Sequence, residues 1–473
     1  MQPVLMLATC KFRYLLHSRM CKLQVNGKLY MCSNSKILLN VILLFTAVSL
    51  AACGGGNHNY NIGGTISGLT ESGLTSSVIL QNNGSDDLTV TTNGTFRFAS
   101  QVKDGDTYNV TVLTQPDGQH CTISNGSGTA TGDVYNVVVI CKSSTTRFAY
   151  VANAGSNTVS QYTVDSGGAL TVMSTATVAA GTTPYAVTVD PTGQYVYVAN
   201  YGDGTISQYT TGTYGLLTPM STATVSAGTH PDSLTVDPSG RYVYVSNADS
   251  NNVSQYAVGS GGELTAMSTS SVAAGSKPSS ITVDPTGSYA YVTNYANGSI
   301  SQYTIGTDGA LTPMNIATVT AGTNPNSVIV DPTGKYVYVA NAGSNSISQY
   351  TVGSAGSLTA MSTATVATGT QPASVAVDPS GKYVYVANFG SGSVSQYTIG
   401  SNGSLTAMST STIAAGTNPI NITVDPSDQF VYVANENSNT VSQYSIGSTG
   451  ALAAMSSATI STENAPISIV TTQ

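Results

Sequence analysis

Tryptophan is absent from this sequence, and charged side chains make up only 8% of its 473 residues. Positive charge is the scarcest: beyond Cys53 the chain carries 8 lysine and arginine residues against 22 aspartate and glutamate residues. A polyanionic nucleic acid would be repelled by this excess, so nucleic-acid binding is excluded. Disorder is excluded as well, because 41% of the residues are hydrophobic. Glycine, serine, threonine, asparagine and valine dominate, which is typical of a β-rich chain with many tight turns.

Long hydrophobic runs are also missing. The apolar segment 37–50 has 14 residues, which is too short to span a bilayer comfortably but fits the apolar part of a signal peptide. It leads into Leu-Ala-Ala-Cys, ending at Cys53, and this motif resembles the bacterial lipobox, in which the cysteine is lipidated after cleavage. The sequence therefore predicts a leader over residues 1–52 and a lipid anchor at Cys53. An ordinary cleavage site and a membrane-anchor helix are the alternatives.

The lipobox resemblance also implies a location. A lipidated Cys53 would tie the protein to a membrane of the bacterial cell envelope through a Gly-rich tether. The residue directly after the cysteine is Gly54 rather than an aspartate, and in a Gram-negative lipoprotein this favours the outer membrane. The sequence leaves open whether the protein faces the periplasm or the outside.

Only two cysteines, Cys121 and Cys141, follow Cys53. An even pair in an exported domain predicts a disulfide, and two buried free thiols are the alternative. Closing this loop of about 20 residues would stabilise the fold by about 3 kcal/mol. Two cysteines without clustered histidine or acidic side chains form a poor ligand set, so neither a metal nor a cofactor is predicted.

A repeat of 47 residues fills the chain from residue 145 to residue 473. Each copy carries Tyr-Val-x-Asn followed by Ser-Gln-Tyr, and each interval is the same. The tyrosines that begin the first motif are Tyr150, Tyr197, Tyr244, Tyr291, Tyr338, Tyr385 and Tyr432. Repeats of 40–50 residues with four short strands indicate propeller blades. Within one copy, the pattern predicts strands over 233–237, 242–247, 253–258 and 264–272, the last being the most polar and therefore outermost.

The two ends of the repeat array complement each other. The first copy begins at Thr145 without a first strand, and the chain ends with the first-strand segment 466–470. The C-terminal strand is therefore expected to complete the first blade and to close the ring, which removes exposed sheet edges. The predicted fold class is all-β, with a seven-bladed propeller over residues 145–473.

Residues 53–144 have a different pattern. Short alternating segments, punctuated by turns such as Asn93-Gly94, predict a tether followed by a small Ig-like or transthyretin-like β-sandwich. This segment shows no pattern that points to chemistry.

The Tyr-Val-x-Asn and Ser-Gln-Tyr motifs, preceded by Asp-Pro-Thr/Ser-Gly turns, resemble the YVTN-type repeat of the lactonase-like seven-bladed propellers. That family is named for members similar to 6-phosphogluconolactonase. The resemblance implies the fold over the whole repeat array and allows a lactonase activity, but a propeller fold hosts many chemistries.

Few side chains in the repeat array suit acid–base catalysis. His230 is its single histidine, and Glu436 is the acidic residue predicted on the same face, in a distant blade. No catalytic residues are predicted on this basis, because an acid–base pair must reach one substrate atom together. The repeated Asp-Pro aspartates are interpreted as turn caps.

Sequence variation between the copies singles out one face. The strand order puts the fourth-to-first-strand loops and the second-to-third-strand loops on the same face, and both vary, while the Asp-Pro turns of the opposite face hardly change. Exposed aromatic, amide and carboxyl groups suit a glycan, peptide or protein ligand, although loops can also vary without binding anything. The candidate binding residues are Tyr185, Tyr201, His230, Asp232, Lys277, Tyr295, Asn324, Gln371, Phe389 and Glu436.

Three functions are compatible with these patterns. The favoured one is a lipid-anchored envelope protein whose propeller serves as a non-catalytic recognition or interaction scaffold. The alternatives are a lactonase-like hydrolase, implied by the family resemblance, and a structural surface protein.

Overall fold

The computed structural model describes residues 21–25, 28–32, 58–69, 77–114, 116, 119–143, 147–212 and 214–472. Cys53 and the tether after it lie outside these residues, so the predicted anchor is not among the described features. The chain divides into two compact units, with the main division between Lys142 and Ser143. Within the described residues, no helix is long and apolar enough to cross a membrane. The first two strands along the chain, β1 (Cys21–Val25) and β2 (Lys28–Cys32), form an antiparallel hairpin.

The first unit contains two four-stranded sheets around one hydrophobic core. Its strands are β3 (Asn59–Tyr60), β4 (Ile62–Ser67), β5 (Val78–Asn82), β6 (Asp86–Val90), β7 (Gly94–Arg97), β8 (Val102–Lys103), β9 (Thr107–Thr114), β10 (Gln119–Ser124), β11 (Ser127–Thr129) and β12 (Val134–Ser143). The sheet orders are β10-β12-β4-β7 and β11-β9-β5-β6, while β3 pairs with β8. Strands β12 and β4 are parallel. Cys121 and Cys141 form the predicted disulfide between the neighbouring strands β10 and β12.

The second unit consists of seven four-stranded antiparallel sheets, as the repeat predicts. The first strands of neighbouring blades lie next to one another around the ring. These first strands are β16 (Pro184–Val189), β20 (Pro231–Val236), β24 (Pro278–Val283), β28 (Pro325–Val330), β32 (Pro372–Val377), β36 (Pro419–Val424) and β40 (Pro466–Thr471). The second strands are β13 (Arg147–Asn153), β17 (Tyr195–Asn200), β21 (Tyr242–Asn247), β25 (Tyr289–Asn294), β29 (Tyr336–Asn341), β33 (Tyr383–Asn388) and β37 (Phe430–Asn435).

The third and fourth strands complete each blade. The third strands are β14 (Thr158–Val164), β18 (Thr205–Thr211), β22 (Asn252–Val258), β26 (Ser299–Ile305), β30 (Ser346–Val352), β34 (Ser393–Ile399) and β38 (Thr440–Ile446). The fourth strands are β15 (Leu170–Ala179), β19 (Leu217–Ser226), β23 (Leu264–Ala273), β27 (Leu311–Thr320), β31 (Leu358–Ala367), β35 (Leu405–Ala414) and β39 (Leu452–Ser461). The fourth strands are the most exposed, which confirms their predicted outer position.

The predicted ring closure is confirmed. Strand β40 pairs with β13, so that Tyr150 lies opposite Val470 and Val151 lies opposite Ile469. The first blade therefore takes its innermost strand from the end of the chain and its other three strands from the start of the repeat array.

The repeated tyrosine of each second strand joins its blade to the next one. Its ring is buried between blades, and its hydroxyl donates a hydrogen bond of 2.5–2.7 Å to a glycine carbonyl in the following blade. Tyr432 in the seventh blade donates to Gly168 in the first, so this set of bonds runs around the whole ring. The motif that identifies the repeat is thus a joint between blades.

The repeated glutamine of each third strand forms a second joint. Its side chain is fully buried. Its oxygen accepts a hydrogen bond of 2.6–2.7 Å from a leucine N–H in the next blade. Its amide nitrogen donates at 2.8–3.0 Å to a carbonyl of its own fourth strand. Both ends of each glutamine are therefore satisfied inside the protein, as a buried amide requires.

The aspartates of the Asp-Pro turns act as turn caps, as predicted. Asp284 is representative: it is 2% exposed, and its carboxylate accepts hydrogen bonds from the N–H groups of Thr286, Ser288 and Tyr289 at 2.6–3.0 Å. The cap fixes the turn between the first and second strands.

Replacing Gly309 by alanine is expected to lower the free energy of unfolding by about 3 kcal/mol. Gly309 has a φ of +83°, and an added Cβ would lie 2.3 Å from the ring of Tyr242 in the preceding blade. Gly193 is the matched control, because its φ is +72° but a Cβ there would meet nothing within 4 Å. Gly193→Ala should cost only the backbone contribution of about 1 kcal/mol. Urea denaturation measures both variants, and equal losses would contradict the packing argument.

Candidate functional site

The two variable sets of loops lie on one face of the ring and are hydrogen-bonded to each other in every blade. The residue before each first-strand proline accepts a hydrogen bond, through its carbonyl, from the N–H of the residue after the second-strand asparagine. These seven bonds are 2.8–3.0 Å long; one of them joins Tyr201 to Thr183 and another joins Phe389 to Gln371. We call this side of the ring, formed by the 4–1 and 2–3 loops of the seven blades, the loop face.

The residue before the proline has a left-handed backbone in every blade, with φ between 51° and 56°. None of the seven is a glycine, and proline disfavours a helical conformation in the residue that precedes it. The seven residues are Thr183, His230, Lys277, Asn324, Gln371, Asn418 and Ala465. Such strained positions persist only where the surrounding structure holds them, and they are often found at binding sites. The seven residues therefore share one backbone conformation at equivalent positions of the ring.

Neighbouring blades alternate in how they hold these residues. In the first, third, fifth and seventh blades, an asparagine side chain accepts a hydrogen bond of 2.8–2.9 Å from the N–H of the next left-handed residue. In the second, fourth and sixth blades a glycine takes that asparagine's place: Gly204, Gly298 and Gly392.

The same three glycine-containing blades carry the aromatic residues of the loop face. There the next left-handed residue uses its side chain to contact the aromatic residue or its backbone. His230 stacks on Tyr201. Asn324 donates to the carbonyl of Tyr295 at 3.2 Å, and Asn418 donates to that of Phe389 at 3.1 Å.

A cluster on the loop face brings together four of the predicted binding residues. The rings of Tyr185 and Tyr201 lie 5.1 Å apart, and the imidazole of His230 is nearly parallel to the Tyr201 ring at 4.3 Å. Asp232 follows His230 by two residues, at the start of β20, and its charge contributes to raising the pKa of both tyrosines. Asp249 also belongs to this group, because its carboxylate is hydrogen-bonded to His230 Nδ1 at 2.7 Å. We call Tyr185, Tyr201, His230, Asp232 and Asp249 the central cluster.

The other predicted binding residues are arranged differently. Lys277 and Gln371 are exposed. Tyr295 and Asn324 line an open groove of about 590 Å³ between the fourth and fifth blades. Glu436, in the seventh blade, is close enough to Tyr185 to affect its ionisation.

Electrostatics set the protonation states in the central cluster. Burial raises the pKa of the Asp232 carboxyl to about 8, so this group is largely protonated at neutral pH. Burial, together with the negative charges of Asp232 and Glu436, raises the pKa of the Tyr185 phenol. Burial also raises the pKa of Glu436. The cluster therefore holds three neutral O–H donors, on Tyr185, Tyr201 and Asp232, beside one imidazole.

His230 has the geometry of an oriented base. Because an ionised carboxylate only accepts hydrogen bonds, the contact with Asp249 places the imidazole proton on Nδ1 and leaves the lone pair of Nε2 free. The side chains of His230 and Asp249 are 35% and 42% exposed, so the pair is accessible to water and to a ligand. His230 is therefore both paired with Asp249 and stacked on Tyr201.

The sequence indicated His230 but not its partner. That partner, Asp249, is not among the candidate binding residues. The signal that could have found the pair is the register between the 4–1 and 2–3 loops, which places residues 230 and 249 side by side. Within the described residues, no group of three His, Cys, Asp or Glu side chains is arranged to hold a metal ion.

Comparisons with known proteins agree with this architecture. The family profile described as "Lactonase, 7-bladed beta-propeller" matches residues 97–368 and 358–468. A candidate 6-phosphogluconolactonase from Bacteroides fragilis is similar in structure, with 18% identity and a TM-score of 0.62 over 70% of this chain and 98% of its own. The periplasmic gluconolactonase of Pseudomonas aeruginosa has 18% identity and a TM-score of 0.60, over 69% of this chain and 99% of its own. A protein from Lactobacillus plantarum has 20% identity and a TM-score of 0.61, with coverages of 69% and 99%. A comparison with curated protein sequences gave no match.

Proposed function

Because this chain belongs to the family of seven-bladed lactonase β-propellers, we propose that it hydrolyses a lactone at the central cluster of the loop face. The observation that carries the proposal is the His230–Asp249 pair, stacked on Tyr201 and adjacent to a neutral Asp232. The structural neighbours described as gluconolactonases support the same reaction class.

His230 is the general base in this proposal. Its Nε2 accepts a proton from a water molecule while the water oxygen attacks the lactone carbonyl carbon. Asp249 holds the imidazole by Nδ1 and stabilises the imidazolium that forms, as a carboxylate does for histidine in hydrolytic triads. When the ring C–O bond breaks, the imidazolium returns its proton to the leaving alkoxide. The product is an open-chain hydroxy acid.

Asp232 and Tyr185 supply hydrogen bonds to the carbonyl oxygen in this proposal. That oxygen becomes negatively charged in the transition state, and donors aimed at it are the largest single contribution in many acyl-transfer enzymes. A carboxyl group kept neutral by burial can donate in this way.

The test is hydrolysis of a panel of sugar lactones by the purified chain, against a blank without protein. We expect His230→Ala to lower kcat/KM at least about 100-fold, the usual contribution of general-base catalysis. Asn418→Ala is the matched control and should keep the wild-type kcat/KM. Asn418 has the same left-handed backbone as His230, and the equivalent residue of another blade, Ala465, is already an alanine. Turnover by His230→Ala at the wild-type rate, or no turnover by the wild-type protein on any lactone, would refute the proposal.

The pH dependence provides a separate test of Asp232. In the wild-type protein, kcat/KM should fall as the pH rises through about 8, because ionisation removes the Asp232 hydrogen-bond donor. Asp232→Asn keeps a neutral donor of similar shape that does not titrate. The variant should therefore retain its activity above pH 8, whereas an unchanged alkaline limb in Asp232→Asn would exclude this role.

A second candidate function is non-catalytic recognition of a glycan, peptide or protein on the same loop face. The observation that favours it is the recurrence of an aromatic residue in every second blade, at Tyr201, Tyr295 and Phe389. Tyr295 is 37% exposed and lines the groove between the fourth and fifth blades. Replacing Tyr295 and Phe389 together by alanine should abolish retention on a glycan or peptide array and leave the melting temperature unchanged. Retention by the double variant would contradict this function.

We also propose that Cys53 carries a lipid that ties the protein to the bacterial outer membrane. The support is the lipobox-like sequence at Cys53 and the glycine that follows it. Mass spectrometry of the protein extracted from its native membrane should find a diacylglyceryl modification on Cys53. Cys53→Ala should move the protein out of the membrane fraction, and a variant that stays there would argue against the anchor.

A further inference from the structure

Resting on the proposed lactonase function, we infer that the substrate is an uncharged polyhydroxy lactone and that the loop face disfavours a phosphorylated one. The argument is electrostatic and depends on where the propeller places its few cations. A phosphate group on a sugar lactone is commonly recognised by arginine or lysine side chains, which supply charge and several donors.

Three of the five lysine and arginine residues of the propeller, Arg241, Lys335 and Lys382, directly follow Asp-Pro turns on the face opposite the loop face. Arg147 holds the equivalent position in the repeat, at the start of β13. Arg147 is bound in an ion pair with Asp425, and Arg241 lies over the ring of Tyr242 while donating to Ser239. Lys335 and Lys382 donate their backbone N–H groups to the capping carboxylates of two such turns. None of these four side chains belongs to a loop of the loop face.

The loop face carries carboxyl groups instead. Its 4–1 and 2–3 loops and the first residues of its inner strands contain five of them: Asp203, Asp232, Asp249, Glu436 and Glu463. Asp249 contacts the proposed base, and Glu436 acts on the ionisation of Tyr185. Asp232 is largely protonated at neutral pH and adds no charge there. The other four carboxyl groups repel a dianionic phosphate, while the hydroxyl groups of an uncharged lactone find acceptors and donors.

Lys277 is the one lysine of the loop face within the described residues. Its N–H donates to Asn251 at 2.9 Å, its carbonyl accepts from Tyr295 at 2.9 Å, and its side chain is exposed. A single solvated ammonium offers one point charge without the planar fork of an arginine. Lys277 therefore leaves the excess of negative charge on this face in place.

The experiment compares kcat/KM of the purified chain for glucono-δ-lactone and for 6-phosphogluconolactone. We expect the uncharged lactone to be preferred at least about tenfold at low ionic strength, because the carboxylates of the partly exposed loop face repel the phosphate. Raising the salt concentration should reduce this preference, since salt screens exposed charges. The rate for the uncharged lactone should not follow the salt concentration.

Two variants make the comparison specific. Glu436→Gln removes one carboxylate and should raise the ratio of the phosphorylated to the uncharged rate, whereas Lys277→Ala should leave that ratio unchanged. This inference would be overturned if the wild-type protein preferred the phosphorylated lactone, or if Lys277→Ala lost activity on the phosphorylated lactone alone. In either case the proposed hydrolase function would stand. Hydrolysis of neither lactone would overturn this inference, and no turnover on any lactone of the panel would overturn the proposed function with it.

Discussion

Deleting residues 466–473 is expected to leave the propeller without a cooperative unfolding transition. The deletion removes β40, and with it the ladder to β13 and the buried side chains of Ile467 and Ile469. The edge of β13 and the inner faces of two blades would then be exposed, and unpaired edges promote association between chains. Circular dichroism during urea titration should show a broad transition at low denaturant, and size-exclusion chromatography should show oligomers.

A circular permutant separates the loss of the strand from the change at the chain end. In this control, Gln473 is joined to Thr145 and the new N-terminus is Pro184, so that every strand is retained and each blade is continuous. The join restores the length of the other first-to-second-strand turns. We expect the permutant to unfold cooperatively, within about 1 kcal/mol of the parent chain. A cooperatively folded deletion variant, or an unfolded permutant, would contradict the closure argument.

Gln349→Glu is expected to lower the free energy of unfolding by about 3–5 kcal/mol at neutral pH. Gln349 is fully buried; its oxygen accepts from the N–H of Leu405 at 2.7 Å, and its amide donates to the carbonyl of Thr363 at 2.8 Å. Glutamate has the same shape, but when ionised it places a buried negative charge against the Thr363 carbonyl. The substitution therefore exchanges a hydrogen bond for a repulsion and adds the cost of burying a charge.

The pH dependence of this variant has a definite sign. Burial raises the pKa of the new carboxyl in the folded state above its unfolded value of about 4.3. The loss of stability is therefore present at neutral pH and disappears as the pH falls below the unfolded-state pKa of about 4.3, because the protonated carboxyl can donate to the carbonyl of Thr363. Gln194→Glu, at an exposed position, is the control and should change the stability by less than about 0.5 kcal/mol. Equal losses in the two variants would argue against the buried joint.

The propeller could be predicted in detail because the residues that reveal the repeat also hold it together. Tyr338 and Gln349 each bond to the next blade, so any copy that lost them would weaken the ring, and the 47-residue interval fixes every strand once one blade is assigned. The sandwich was harder, since β8 and β11 have only two and three residues. Strands this short bury too few side chains to leave a periodic pattern.

The central cluster was only half visible in the sequence, for a conformational reason. A residue before a proline is expected to be extended. Nothing in the amino-acid sequence indicates that the seven non-glycine residues before the first-strand prolines have a left-handed backbone. That conformation turns His230 towards Tyr201 and Asp249. The raised pKa of Asp232 depends on the burial of its carboxyl in the folded protein, which a linear pattern of residues does not report.

Blades with an asparagine at the position equivalent to residue 157 alternate with blades that have a glycine there, and this alternation meets an odd number of blades. Two kinds of unit cannot alternate around a ring with an odd number of members, so two blades of the asparagine kind, the seventh and the first, must be neighbours. At this junction Glu463 stands where the other six copies have a glycine. A ring built from nearly identical parts thereby acquires one distinguishable seam, and with it a fixed origin from which each position on the loop face differs from every other. An even-numbered ring made from the same two kinds of blade would have no such origin.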